Sequence, residues 1–312
     1  MRRRSPIIDE SVRLGSITLT NPVVAASGTF GHGTEFARLC PPAELGAVTV
    51  KSLAPFAWEG NAPLRTTEAP GGGMLNSVGL MGPGIATWLR DDLAELRATG
   101  ARVIVSIWGR TVADYEMGAG LLDPVSAELT ALEVNLSCPN LDGGKHMFAA
   151  DSAATADVIA AVVAQTNVPV FAKLTAAVTD IVAVAQAAIG AGAMGLTLIN
   201  TMLGLAIDAD TRRPMLGAGG GGLSGPPIKS IALRAVAEVA SALPGVPIIG
   251  TGGVTSGLDA AEMLIAGASA VGVGTATFAE PRATLRIRRE LRAWCAAHSV
   301  TPDALHATLE VP

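Results

Sequence analysis

The chain has 312 residues, of which 49% are hydrophobic, 16% charged and 4% aromatic, and its net charge is −5. Those figures suit a large globular α/β protein whose core is packed by small side chains, and they exclude a disordered chain. The acidic balance also excludes a broad nucleic-acid or acidic-membrane footprint, because the one basic run, Arg2 to Arg4, is terminal.

No apolar segment of signal-peptide length follows that run and no stretch approaches a membrane span, so a cytoplasmic location is expected. In chain order, "RLGSITLTN" is expected to form a hairpin. The first strand-like run, "PVVAAS", ends at Ser27, and "LGAVTVKS" ends at Lys51. After a long loop near residues 54–84, "ATWLRDDLAELRATG" has helical spacing and "TGARVIVS" runs to Ser106. "ALEVNLS" then enters Cys138, with a loop near 139–151 behind it. The helical "SAATADVIAAVVAQ" leads to "VPVFAKL", which carries Lys173. "VTDIVAVAQAAIGAG" leads to "GLTLINT", ending at Asn200 and Thr201, and a loop near 203–225 follows. "VPIIGTGG" ends at Gly252 and Gly253. The helical "TSGLDAAEMLIAG" opens with Ser256 and Asp259 at capping-box spacing, and "ASAVGVGT" ends at Gly274 and Thr275.

Several of these strands follow a helix and a Gly-Ala pair, the mark of an αβ connection with glycine in the left-handed conformation. Runs apolar on both faces that alternate with helices imply a parallel sheet, and about eight such units suit a closed (β/α)8 TIM barrel. The hairpin would sit at its base and the long loops would cover the C-terminal face. No linker composition divides residues 1–312, so one domain is expected. The alternative is an open, dinucleotide-binding sheet. It finds a G-x-G-x-x-G match at Gly217, Gly219 and Gly222, but no clear strand precedes the match, and Pro226 and Pro227 follow it, so a mobile loop is the better reading.

In such a barrel the strand ends carry the chemistry. Here they offer lysines, asparagines and a thiol but no carboxylate or histidine pair, which makes glycosidase chemistry a poor fit. The "GTGG" and "GVGT" turns after the last two strands are either ordinary tight turns or a backbone cradle for a phosphate. Lys51 and Lys173 either snorkel to solvent or stand beside an anionic cofactor. Asn76 either makes a turn in its glycine-rich loop or joins Asn135, Asn140 and Asn200 in presenting amides to a planar heterocycle. The histidines His32, His146, His298 and His306 lack metal-ligand spacing, so no metal is expected. Cys40, Cys138 and Cys295 are scattered and odd in number; no disulfide framework is expected, and Cys40 and Cys295 read as packing residues on helix faces. Lys145, in "GGK", lacks the spacing of a nucleotide-binding P-loop.

The ordered motifs "NPVVAASGTFG", "TVKS", "MLNSVGL", "EVNLSCPN", "FAKLT", "TLINT", "TRRP", "GGLSGPPIK", "IIGTGGV" and "GVGTATF" run through nearly the whole chain. In them the sequence resembles the class 1 dihydroorotate dehydrogenases, most closely the FMN-bearing catalytic subunits of their B subgroup. The resemblance implies Cys138 as the active-site base, with Lys51 beside it. It implies FMN on Ser27, Lys51, Ser52, Ser106, Asn135, Lys173, Ile199, Gly225, Gly252, Gly253, Gly274 and Thr275. Dihydroorotate would meet Lys51, the loop Asn76, Ser77, Val78, Gly79 and Leu80, and also Asn135, Asn140, Asn200 and Thr201. A homodimer and a partner subunit carrying FAD and an iron–sulfur cluster, passing electrons to NAD, are implied in the same way.

Three positions depart from the family pattern. Ser106 stands where an asparagine is expected, "GLMGPG" replaces "GLQNPG", and the "GGKHMFAAD" segment is unusual. They keep open the reading of a non-catalytic flavin-binding paralogue. A reductase of uracil-type pyrimidines is a further alternative, because that related barrel has a closely similar cysteine loop, although Asn140 after "SCP" favours the orotate reading.

Overall fold

The computed structural model describes residues 8–137 and 147–310. Eight parallel strands close into a barrel: Val23–Ala25, Ala47–Thr49, Val103–Ile107, Ala131–Asn135, Val170–Leu174, Gly195–Leu198, Ile248–Thr251 and Ala270–Val273. Each pairs with the next in sequence, and Val271 sets beside Val23 to join the last strand to the first. These are the eight runs expected from the sequence. Their residues are buried almost without exception, because one face fills the barrel and the other lies under helices.

Several helices begin where a side chain can satisfy one of their first N–H groups. Asp151 and Asp180 cap their helices, and Ser256 and Asp259 form the expected capping box at the start of Gly257–Ile265. The segment expected as one helix after residue 85 is two, Ile85–Asp91 and Leu93–Ala98. The break falls at Asp92, a residue whose side chain competes with helical backbone bonds.

At the base, Val12–Leu14 and Ile17–Leu19 form the expected antiparallel hairpin. Val12, Leu14 and Leu19 pack on Val24, Ala47, Ile104, Ala131, Phe171, Ile249 and Ala270, sealing the lower end of the barrel.

The upper end differs from expectation. The stretches read as loops 54–84 and 203–225 contribute to a four-stranded antiparallel sheet, in the order Met202–Gly204, Gly221–Ser224, Gly73–Asn76, Thr66–Ala69. The glycine-rich segment read as a mobile loop therefore ends in an inner strand of this cap. Glycine is required there by close approach: a Cβ at Gly222 would lie 2.2 Å from Thr201 Oγ1, and one at Gly221 would lie 2.4 Å from the Asn76 carbonyl oxygen. Cys295 packs on a helix as expected. Cys40 is buried in a turn instead of a helix, with Sγ 3.1 Å from Thr284 Oγ1.

Candidate active site

The barrel strands deliver their ends to a single cleft of about 510 Å³ between barrel and cap. Its lining includes Ser27, Lys51, Ser52, Asn135, Lys173, Ile199, Asn200, Thr201, Gly252, Gly253, Gly274 and Thr275, together with Gly225 and the cap residues Asn76 to Leu80. Cys138 and Asn140 lie outside the described residues. Ser137, the last residue described before them, lines the cleft.

Ser106 does not line the cleft. It is fully buried, and its Oγ lies 2.9 Å from Ser52 Oγ. From that pair a polar chain crosses the floor. Ser52 Oγ lies 3.4 Å from Ser27 Oγ and accepts from Asn135 Nδ2 at 3.3 Å. Asn135 Oδ1 accepts from Asn200 Nδ2 at 3.1 Å and from the Ser137 N–H at 3.2 Å, while Tyr115 donates to the Asn135 carbonyl at 2.7 Å. Both ends of the Asn135 amide are thereby engaged, which fixes its orientation.

The two lysines are held differently. Lys51 is half-buried and its side chain lies over Gly28, where a Cβ would stand 3.5 Å from Nζ. Lys173 is 6% exposed and donates to Glu133 Oε1 at 3.3 Å. Glu133 was passed over in the sequence because it sits inside an apolar strand. Its spacing of two from Asn135 put it on the same face and was the available signal.

Gly252 and Gly253 turn the chain with φ of 133° and 73°. The turn rests on the start of helix Lys229–Ala242: a Cβ at Gly252 would come within 2.7 Å of Ala232 Cβ, and one at Gly253 within 2.6 Å of Lys229 Cβ. Behind it, Lys229 donates to Asp259 Oδ1 at 2.7 Å, and Asp259 Oδ2 accepts from the Thr255 and Ser256 N–H groups at 2.8 Å. Burial acts to raise the Asp259 carboxyl, but the bonds from Lys229, Thr255 and Ser256 outweigh it and hold the group at about 2.

An aromatic cluster behind the cleft lining was not foreseen. Phe56, Trp58 and Trp108 pack edge to face with centroids 5.8 to 6.2 Å apart, and the Arg110 guanidinium lies 4.2 Å above the Phe56 ring. Leu80, at the end of the cap loop, packs on this cluster. Trp58 also exchanges two 2.9 Å backbone bonds with Gly82. The "GLMGPG" segment thus meets Trp108, two residues past Ser106, through Leu80 and through Trp58. Nearby, burial pushes His32 below the ordinary histidine range; Lys51 acts in the same direction, and Glu35 and Asp92 oppose it. Among the described residues no group of three or more His, Cys, Asp or Glu side chains could hold a metal, and no helix is long and apolar enough to cross a membrane.

A family model described as dihydroorotate dehydrogenase matches residues 11–294. The chain belongs to the dihydroorotate dehydrogenase family. Among the similar members of that family is a protein of Alkaliphilus metalliredigens, 45% identical over 294 residues that cover 94% of this chain and 96% of the relative. Others are from Alkaliphilus oremlandii, 47% identical over 88% of this chain and 90% of the relative, and from a Geobacter species, strain M21, 44% identical over 94% and 95%. All three relatives are named dihydroorotate dehydrogenase B (NAD(+)), catalytic subunit. For a dihydroorotate dehydrogenase family member, the lining of this cleft gathers in one place nearly every described residue singled out from the sequence, with Ser106 one layer behind.

Proposed function

We propose that residues 1–312 act as one flavin-binding catalytic domain that oxidises dihydroorotate to orotate in pyrimidine biosynthesis, as the catalytic subunit of an NAD-linked assembly. One observation above all supports this reading. The lysines Lys51 and Lys173 and the amides of Asn135 and Asn200 come from four different strands to one cleft, in a chain of the dihydroorotate dehydrogenase family.

The donor set fits FMN. The left-handed glycines of the Gly252–Gly253 turn and the neighbouring Gly274 and Thr275 suit a phosphate, which backbone N–H groups and helix starts bind well. Ser27, Ser52, Asn135 and Lys173 offer hydroxyl, amide and ammonium groups along the floor, where an isoalloxazine ring would lie. When bound, FMN supplies the acceptor for the hydride that leaves C6 of dihydroorotate. The chain's own residues do the rest. Cys138 takes the C5 proton, and the electron pair of that C–H bond becomes part of the new C5–C6 double bond. Asn76, Asn135, Asn140, Asn200 and Thr201 hold the substrate's imide and carboxylate, and Lys51 supplies a positive charge beside them. A thiol ordinarily loses its proton near pH ~8.5, so a thiol base makes flavin reduction faster as pH rises towards that value.

The electron route beyond FMN is proposed to run through a partner subunit with FAD and an iron–sulfur cluster, with a homodimer of this chain at the centre, in the cytoplasm. The exposed Leu205, Ile207 and Met215, brought together by the pairing of Ile207 with Pro214 and of Met215 with Ala206, support an assembled state, since apolar side chains gathered at a surface mark interaction sites.

The test is anaerobic addition of dihydroorotate to the flavin-loaded protein. Rapid loss of the oxidised flavin absorbance is expected, and Cys138→Ser should bind both ligands yet reduce at least ~100-fold more slowly at neutral pH. An undiminished rate in that variant would remove Cys138 as the base. Turnover of dihydrouracil but not dihydroorotate would replace the substrate.

A further inference from the structure

Glu133 is a buried carboxylate for which the chemistry above has no use. It lies on the fourth barrel strand, is 2% exposed, and accepts from Lys173 Nζ at 3.3 Å. The register brings the two together: Asn135 stands beside Lys173 and Glu133 beside Phe171 on adjacent parallel strands, and alternation points Glu133 the same way as Asn135. Its neighbour in register on the other side is Ser106, and that of Lys173 is Thr197, both neutral. Lys173 lines the cleft and Glu133 does not. The positive end of the pair therefore meets whatever occupies the cleft, and the negative end lies beneath it inside the barrel.

We infer that Glu133 is a positioning residue that holds Lys173 in place and, by a charge opposing that of the ammonium, helps to set the reduction potential of the bound flavin. The inference rests on the flavin reading above. Its physical basis is the geometry of the pair. An ammonium has three donors; among the described residues its hydrogen-bond partner is Glu133, so the carboxylate anchors Nζ at the floor and leaves donors for the cleft. The carboxylate also opposes the field of that ammonium at short range, in an interior where charges are weakly screened. Reduction by hydride adds negative charge to the flavin, which an uncompensated ammonium would favour strongly. With Glu133 in place the preference is moderated, and the flavin remains able to pass its electrons on.

The test is the midpoint potential of bound FMN, measured by equilibration with reference dyes in the wild-type protein, Glu133→Gln, Lys173→Met and the double variant. Glu133→Gln keeps the shape and removes the charge. It is expected to raise the ratio of reduced to oxidised flavin at fixed potential by tenfold or more, which is ~30 mV for two electrons. Lys173→Met is expected to lower the ratio, and adding Glu133→Gln to it should recover at least part of that loss. FMN bound by Glu133→Gln at the wild-type potential overturns the assignment and leaves the flavin reading intact. A wild-type protein that takes up no FMN overturns both. Should either single variant fail to fold, the double variant against the wild type decides, because neutral isosteres of a buried pair are commonly tolerated. A fall of tenfold or more in its ratio of reduced to oxidised flavin, the result of losing an ammonium that nothing opposed, overturns the role of Glu133.

Discussion

Asn200 Nδ2 donates to Asn135 Oδ1 across 3.1 Å, so the exit of the sixth strand determines which way the amide of the fourth strand faces. Ser52 receives the opposite end of that amide. Three strand ends are thereby locked into one arrangement before any ligand arrives, which is the preorganisation a positioned substrate requires.

Asn200→Ala should loosen that arrangement and remove a proposed substrate contact. A lost hydrogen bond of ordinary strength, ~1 to 1.5 kcal/mol, corresponds to roughly tenfold in kcat/KM for dihydroorotate. Steady-state kinetics at full flavin occupancy provide the check, and an unchanged kcat/KM would detach Asn200 from the site.

Trp108 supports Leu80 from behind, and Leu80 closes the proposed substrate loop. Trp108→Ala removes a large side chain that is 3% exposed, at an expected cost of about 3 kcal/mol in stability. The loop loses its backing at the same time. KM for dihydroorotate should therefore rise severalfold while FMN affinity stays near its wild-type value, read by urea unfolding, kinetics and flavin fluorescence together. Equal weakening of both ligands would mean that the cluster supports the whole barrel top.

Gly253→Ala places a Cβ where φ is 73° and Lys229 Cβ would be 2.6 Å away. Strain and overlap together should cost about 1 to 3 kcal/mol and push the turn out of place. Retention of FMN through dilution is the informative measurement, with at least tenfold weaker binding expected. Binding at the wild-type level would move the phosphate elsewhere.

Asp259 gives the molecule a defined acid sensitivity. Its folded value of about 2 lies below the ordinary 3.8. Its contribution is therefore complete above pH ~4 and disappears as pH falls from there towards ~2. Allowing for screening at this partly open site, about 1 to 2 kcal/mol is at stake. Asp259→Asn should lose that amount at pH 7 and unfold with a flatter acid profile, seen in urea midpoints measured across the range. Parallel acid curves for the two proteins would mean that other carboxylates carry the effect.

The barrel was legible because its strands are apolar on both faces and end on polar residues. Lys51, Lys173, Asn200 and the Gly252–Gly253 turn could be set at one mouth from that pattern alone. The cap sheet was not legible. Segments such as "GGGML" and "GGLS" lack the β-branched alternation that marks a strand, and they pair only because Asn76, Thr201 and the glycines approach closely in three dimensions. Ser106 was legible as a strand end but not as a residue one layer down, since that depends on the intervening Ser52 hydroxyl. The Phe56, Trp58 and Trp108 cluster joins positions about fifty residues apart, beyond the reach of any local spacing.

The seam between Ala270–Val273 and Val23–Ala25 also dictates when this protein can come into being. Until the chain has been made to about residue 273 the first and seventh strands are bare edges, each a template for pairing with another molecule. Ser27 and Gly274, at opposite ends of the sequence, line the same cleft, so ligand binding belongs to the last stage of folding. Contacts so distant along the chain form slowly, which leaves the nascent polypeptide dependent on protection from aggregation for most of its synthesis.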